Sequence, residues 1–73
     1  MVTLNQIKPG SSARVVRAGS RITFRLLELG ILPGALLKVV CQAPLGDPIA
    51  VKVDNTEVAI GREDASYILV ETE

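Results

Sequence analysis

Apolar and polar residues alternate through most of the second half of the chain, and this period of two predicts short β-strands. In the stretch "IAVKV", Ile49, Val51 and Val53 would lie on one face of a strand, with the lysine between them on the other. The stretches "LLKVVCQ", "EVAIG" and "YILVE" follow the same pattern, and Asp54-Asn55 suits a two-residue hairpin turn. Five short strands in 73 residues predict a small, strongly bent sheet closed on itself.

The first half of the chain contains one ten-residue sequence pattern twice. "IKPGSSARVV" at residues 7–16 returns as "ILPGALLKVV" at residues 31–40, 24 positions later, with the same Ile, Pro-Gly, basic residue and Val-Val. Proline presets φ at the second position of a turn and glycine supplies a positive φ at the third, so each Pro-Gly predicts a type II turn that begins a strand. A gene duplication is the alternative, but the residues after the two copies differ, which favours one structural solution used twice.

Between the two copies, "SRITFRLLELG" predicts a helix of about ten residues. Ser20 suits the N-cap position, and Gly30 suits the residue just past the C-terminus, which often adopts a left-handed conformation. A second, single helical turn is predicted through Glu63 to Ser66, before the last strand.

The predicted helix carries two apolar stripes. At 100° per residue, Ile22, Leu26 and Leu29 share one face with Arg25 at its border, whereas Phe24 and Leu27 fall on the opposite side. The first stripe is expected to pack on the strands. The second either plugs an open end of the barrel or is left for a partner, and the sequence leaves both alternatives open.

Charge is distributed unevenly although the net charge is zero. Residues 1–38 contain six basic residues and one acidic residue, whereas residues 39–73 contain two basic and seven acidic residues. The halves either fold onto each other and interleave their charges, or form a dipolar surface that orients a partner.

Composition limits the chemistry that the chain performs. There is no His and only one Cys, Cys41, so we expect no zinc-type site, no disulfide, no cofactor and a reducing, cytoplasmic location. We expect no catalysis, because no His is present to activate Cys41. Any site for ferrous iron would consist of carboxylates and be weak. Phe24 and Tyr67, the only aromatic residues, are too few for a groove that binds proline-rich peptides.

Several runs of the sequence together resemble the ferrous iron transport protein A family, FeoA. They are "RLLELGILPG", "APLGDPI" and "GREDASYILVE", in the order and spacing of that family. The resemblance implies a mainly β fold, a small SH3-like β-barrel of about five strands with one inserted short α-helix, as a single domain over residues 1–73. Phe24, Leu36 and Cys41 make this chain more apolar than the usual pattern of the family.

The resemblance also implies a function. FeoA proteins are small cytoplasmic accessories of FeoB, a membrane protein with a cytoplasmic GTPase domain that takes up ferrous iron. We therefore expect a non-enzymatic interaction module that binds this GTPase domain and is recruited by it to the inner face of the membrane, without inserting into the bilayer. The hypothesis for the contact residues lists Phe24, Leu27, Arg21, Arg25 and Leu36.

Alternatives to this function remain. The same barrel also serves as a regulatory module in metal-responsive transcription systems, although this sequence shows no DNA-binding helices. A small nucleic-acid-binding barrel is another alternative, favoured by the cluster of basic residues in the first half and disfavoured by overall neutrality and few aromatic residues. The pattern leaves open whether the protein forms a homo-oligomer.

Overall fold

The fold is described from a computed structural model, which gives the backbone of residues 1–73 and the side chains of residues 1–19 and 24–73. Six strands and two short α-helices make up the chain, with a 3₁₀ helix at Leu4–Gln6. In chain order the elements are β1 (Val2–Thr3), β2 (Ser12–Ala18), α1 (Ser20–Glu28), β3 (Leu36–Gln42), β4 (Ile49–Val53), β5 (Thr56–Ile60), α2 (Arg62–Ala65) and β6 (Ile68–Thr72).

All six strands belong to one antiparallel sheet, in the order β1-β6-β2-β3-β4-β5. The ladder between β2 and β6 shifts register after Val15, and the ladder between β3 and β4 shifts after Val39. Such bulges bend a strand and increase its twist, which lets a short sheet curl around its own core. The expectation of a mainly β, strongly bent sheet is confirmed.

The two copies of the repeated pattern form equivalent turns. The Ser11 N–H donates to the Lys8 carbonyl at 3.1 Å, which closes a turn through Pro9-Gly10, and the same bond recurs 24 residues later from Ala35 to Leu32 at 2.9 Å. Gly10 and Gly34 have φ of +91° and +92°, in the left-handed region where glycine carries no steric penalty. Both predicted type II turns are therefore present.

Each of these turns is also bonded to the strand that follows the other turn. The Gly10 N–H donates to the Val39 carbonyl at 2.7 Å, and the Gly34 N–H donates to the Val15 carbonyl at 2.8 Å. Each residue of the first bond lies 24 positions from its counterpart in the second, so the β2–β3 pair has an approximate local two-fold axis. The bonds in the opposite direction follow the same rule: Val15 N–H to Ala35 O at 2.9 Å, and Val39 N–H to Ser11 O at 3.0 Å.

This local symmetry explains why the sequence pattern occurs twice. Ile7 and Ile31 are both buried before their turns, Val15 and Val39 are both buried after them, and the basic residue in each copy is exposed. Each of the two antiparallel strands begins with the same type of turn and forms hydrogen bonds with the turn of the other strand. Both segments therefore need the same residue types at the same positions relative to the turn.

The core lies between the two sides of the bent sheet and contains only apolar side chains among those described. The predicted inward positions of the strands are confirmed, including Ile49, Val51 and Val53 of β4 and Ile68 and Val70 of β6. The other core residues come from all parts of the chain: Leu4, Ile7, Ala13, Val15, Leu26, Ile31, Leu37, Val39, Ile60 and Ala65.

The hairpin between β4 and β5 is also confirmed, because Asp54 and Asn55 have φ of +48° and +67°. Positive φ at both central residues is the type I′ geometry that matches the twist of the flanking strands.

Three expectations for the helices and strands need correction. The structure has six strands rather than about five, because the two-residue β1 pairs with β6. The N-cap of α1 is Gly19 and not Ser20, which is the first helical residue. The second helix is Arg62–Ala65, one residue earlier than predicted.

Close packing accounts for the shifted N-cap. The Gly19 N–H donates to the Tyr67 carbonyl at 2.9 Å, and a β-carbon at Gly19 would lie 3.3 Å from the Tyr67 Cβ. Glycine therefore lets α1 begin directly against the start of β6. The side chains of Ser20, Arg21 and Ile22, which carried earlier expectations, lie outside the described residues.

Candidate protein-interaction surface

Among the described side chains of helix α1, those of residues 24–28, one is buried and its neighbours are exposed. The Leu26 side chain is 3% exposed and belongs to the core, whereas Phe24 and Leu27 are 74% and 48% exposed. The predicted separation of the two stripes therefore holds at these positions, and of the two alternatives for the second stripe the structure shows a free surface rather than a plug. We call Phe24, Leu27 and Arg25 the α1 surface.

The C-terminus of α1 fixes this orientation. The Ile31 N–H donates to the Leu26 carbonyl at 2.8 Å and the Gly30 N–H donates to the Leu27 carbonyl at 3.1 Å, with φ of +80° at Gly30. This is a Schellman motif, in which the residue after the glycine turns back toward the core. Leu29 was expected on the buried face but is 36% exposed, because the helix ends there and Ile31 takes the buried position.

A chain of polar contacts connects the α1 surface to the β3–β4 loop. The Arg25 guanidinium lies 3.5 Å from the Asp64 carboxylate of α2, and the Arg62 N–H at the start of α2 donates to the Asp47 carboxylate at 2.8 Å. The loop that Asp47 occupies carries Leu45, which is 95% exposed. The sequence analysis missed Leu45, although it is the one large apolar residue in an otherwise turn-forming stretch.

Leu36 and Arg21 are the remaining residues of the contact hypothesis. Leu36 is 48% exposed on the outer face of β3, directly opposite Arg14 of β2, so it lies on the sheet rather than on the helix. The Arg14 guanidinium holds the Gly34 carbonyl at 2.7 Å and the Glu73 carboxylate at 3.1 Å. The side chain of Arg21 is outside the described residues, so the structure does not place it.

Two ion pairs show how the unevenly distributed charges of the two halves are arranged in the fold. Arg14–Glu73 and Arg25–Asp64 each join a basic residue of the first half to an acidic residue of the second half. Among the described side chains the halves therefore do interleave charges. Both pairs are largely exposed, and such pairs typically add less than about 1 kcal/mol to stability.

The described side chains contain no cluster of three or more His, Cys, Asp or Glu that is arranged to hold a metal ion. Cys41 is a free thiol on the exposed side of β3. The helices within the described residues are all too short and too polar to cross a membrane.

A short helix that presents exposed apolar residues beside charged ones, on a small, strongly bent sheet, is typical of a protein-interaction module. The family comparison makes the class specific: residues 2–72 match the model of the FeoA domain. The chain belongs to the FeoA family, a family of small accessory domains linked to ferrous iron transport.

One curated relative places this domain beside a transporter. The chain is 39% identical over 70 residues to the Fe(2+) transport protein A/Fe(2+) transporter FeoB fusion protein of Porphyromonas gingivalis (strain ATCC BAA-308 / W83). The match covers 93% of this chain and 8% of the relative, so the chain corresponds to a small part of that protein.

Solved structures show the same fold. The FeoA protein of Chlorobium tepidum is 36% identical with a TM-score of 0.90, covering 97% of this chain and 70% of that one. FeoA of Stenotrophomonas maltophilia, described as a prokaryotic SH3 domain protein and solved with zinc, is 28% identical with a TM-score of 0.82, covering 97% and 91%. IdeR of T. acidophilum is 27% identical with a TM-score of 0.86, covering 99% of this chain and 34% of IdeR. The expected SH3-like barrel is confirmed.

Proposed function

We propose that this protein is a cytoplasmic accessory of ferrous iron uptake that binds the cytoplasmic GTPase domain of FeoB through the α1 surface. The observation that supports the partner most directly is the fusion relative, in which a region 39% identical to this chain is part of one protein with FeoB. Fusion supplies a high effective concentration through the linker. Without such a linker, a FeoA domain needs a surface that binds FeoB with useful affinity by itself.

The α1 surface has the composition of such a contact. Phe24 provides a large apolar anchor at 74% exposure, and Leu27 extends it by one helical turn. Arg25 follows Phe24 about 100° further around the helix, and its guanidinium lies 3.5 Å from the Asp64 carboxylate, so a charged pair marks one border of the apolar residues. Aromatic anchors with a charged rim account for most of the binding energy in many interfaces. Leu36 and Arg21 remain in the hypothesis as further contact residues.

The test is a pull-down of the FeoB cytoplasmic domain of the same organism by this protein, with GTP hydrolysis measured on the same material. Phe24→Asp should weaken binding by roughly 30-fold or more, the effect of losing a hot-spot anchor worth about 2 kcal/mol. Its melting temperature should stay near that of the parent, because Phe24 is mostly in solvent.

Val40→Asp is the matched control. Val40 is also an exposed apolar residue, at 40% exposure, but it lies on β3 outside the proposed surface. The control should bind FeoB normally. If Phe24→Asp is folded and binds as well as Val40→Asp, the α1 surface is not the contact, and Leu36 and Leu45 become the residues to change next.

The similarity to IdeR favours a second candidate, a regulatory barrel in a metal-responsive transcription system. Binding to FeoB decides between them. A gene for FeoB adjacent to the gene for this protein, together with a positive pull-down, supports the uptake function, whereas association with a DNA-binding regulator and no affinity for FeoB supports the alternative.

A further inference from the structure

The two edges of the sheet differ in how they end. At one edge, β1 is only two residues long and continues directly into the 3₁₀ helix. At the other edge, β5 (Thr56–Ile60) runs for five residues and pairs with β4 alone. In the backbone that the structure describes, none of the turn and loop hydrogen bonds involves residues 56–60. The outer side of β5 therefore presents free N–H and C=O groups.

Edge strands of this kind are normally blocked by proline, lysine, a bulge or a covering element. β5 contains no proline and no basic residue, and its ladder with β4 runs without a register shift, unlike those between β2 and β6 and between β3 and β4. Its only charged residue is Glu57. The edge has a regular register and is open to another strand.

The sequence of β5 suits pairing with a second copy of itself. In an antiparallel pair, inward residues must face inward residues, which limits the two-fold registers that pair at least three residues of β5 to those centred on Glu57, Val58 or Ala59. The register centred on Glu57 places like charges directly opposite each other. The registers centred on Glu57 and on Ala59 also pair only three of the five residues of β5. The register centred on Val58 pairs all five, with Thr56 opposite Ile60 and Glu57 opposite Ala59 of the partner copy.

Burial favours the same register. Val58 packs against the core but remains partly exposed, because no strand lies beyond it. Centring the pair on Val58 brings the two valines together on the inner face, and each covers the exposed part of the other. Apolar cross-strand pairs of this kind stabilise antiparallel sheets.

We propose that the protein forms a weak two-fold dimer through antiparallel pairing of β5 with β5 of a second copy, in the register centred on Val58. The dimer extends the sheet from six strands to twelve. Because the paired edge is only five residues long, the interface is small and association depends on concentration. The α1 surface takes no part in this pairing.

Substitution at Ala59 tests both the dimer and its register. Ala59 is exposed and would face Glu57 of the partner copy twice per dimer. A59K should tighten the dimer by adding two opposite-charge pairs, and A59E should weaken it by adding two like-charge pairs. From the usual size of cross-strand charge pairs, each change is roughly 2- to 30-fold in the dissociation constant.

Sedimentation equilibrium at up to about 1 mM protein, where weak complexes assemble, measures these constants. S11K and S11E are matched controls, because they make the same net-charge changes at an exposed residue before β2 and should leave the dimer unchanged. Adding E57K to A59E should restore association. A protein that stays monomeric throughout, or A59K and A59E effects of the same sign, would overturn the proposal and leave this edge for a strand of a different protein.

Discussion

Leu26 is the one buried side chain among those described in α1, so its truncation tests the assignment of the helix faces. The side chain is 3% exposed within the apolar core, and Leu26→Ala would remove three carbons and leave a cavity behind. Changes of this type cost about 2 to 5 kcal/mol in other cores. The slightly better helix propensity of alanine offsets only a few tenths of a kcal/mol.

That loss is large for a chain of this size. At typical stabilities per residue, a domain of 73 residues unfolds with a free energy of about 4 to 11 kcal/mol. Leu26→Ala should therefore remove a substantial fraction of it. The melting temperature should fall by on the order of 10 to 40 °C, since each kcal/mol shifts a domain of this size by about 4 to 8 °C.

Urea denaturation followed by circular dichroism measures the loss, and Leu27→Ala is the control. It makes the same chemical change on the adjacent residue, which is 48% exposed, and should cost no more than about 1 kcal/mol. If Leu26→Ala melts like the parent, or if Leu27→Ala is the more destabilising of the two, the orientation of α1 derived above is refuted.

Two further predictions concern the end of α1 and the metal. Gly30→Ala should destabilise the protein by about 1 to 2 kcal/mol, seen as a lower urea midpoint, because φ is +80° and the space around the new β-carbon is empty, so the cost is purely conformational. Gly30→Asn should cost less, and equal effects of the two would contradict this explanation. Anaerobic calorimetry should find no sub-micromolar one-to-one Fe²⁺ site in the monomer, since the sequence offers carboxylates and one thiol but no His. A tight site would bring iron carriage by this chain back into consideration.

Local chemistry was enough to predict most of the strands and turns. A period of two identifies strands such as β4 whenever one face is buried, and Pro-Gly and Asp-Asn specify their turns almost alone. β1 escaped prediction because two residues are too few to show any period. The N-cap at Gly19 escaped because it depends on the approach of Tyr67, a contact between residues 48 positions apart.

The candidate surface was only partly predictable. A helical wheel separates Phe24 from Leu26, but it does not tell which stripe meets the barrel, and it failed at Leu29 because the chain leaves the helix there. The contacts Arg25–Asp64 and Asp47–Arg62 join segments that are distant in the sequence, and no periodic pattern predicts them.

The reciprocal bonding of the two Pro-Gly turns makes α1 an independently variable insert. After Ala18, the last residue of β2, the chain makes an excursion through α1 that ends at the turn containing Gly34, and the Gly34 N–H donates to the carbonyl of Val15 within β2 at 2.8 Å. The ends of the excursion are therefore fastened by the barrel itself, and closing a loop of a different length or sequence adds little free energy. Provided that a residue in the place of Leu26 keeps its contact with the core, the outward residues of α1 are free to change with the partner while the barrel stays the same.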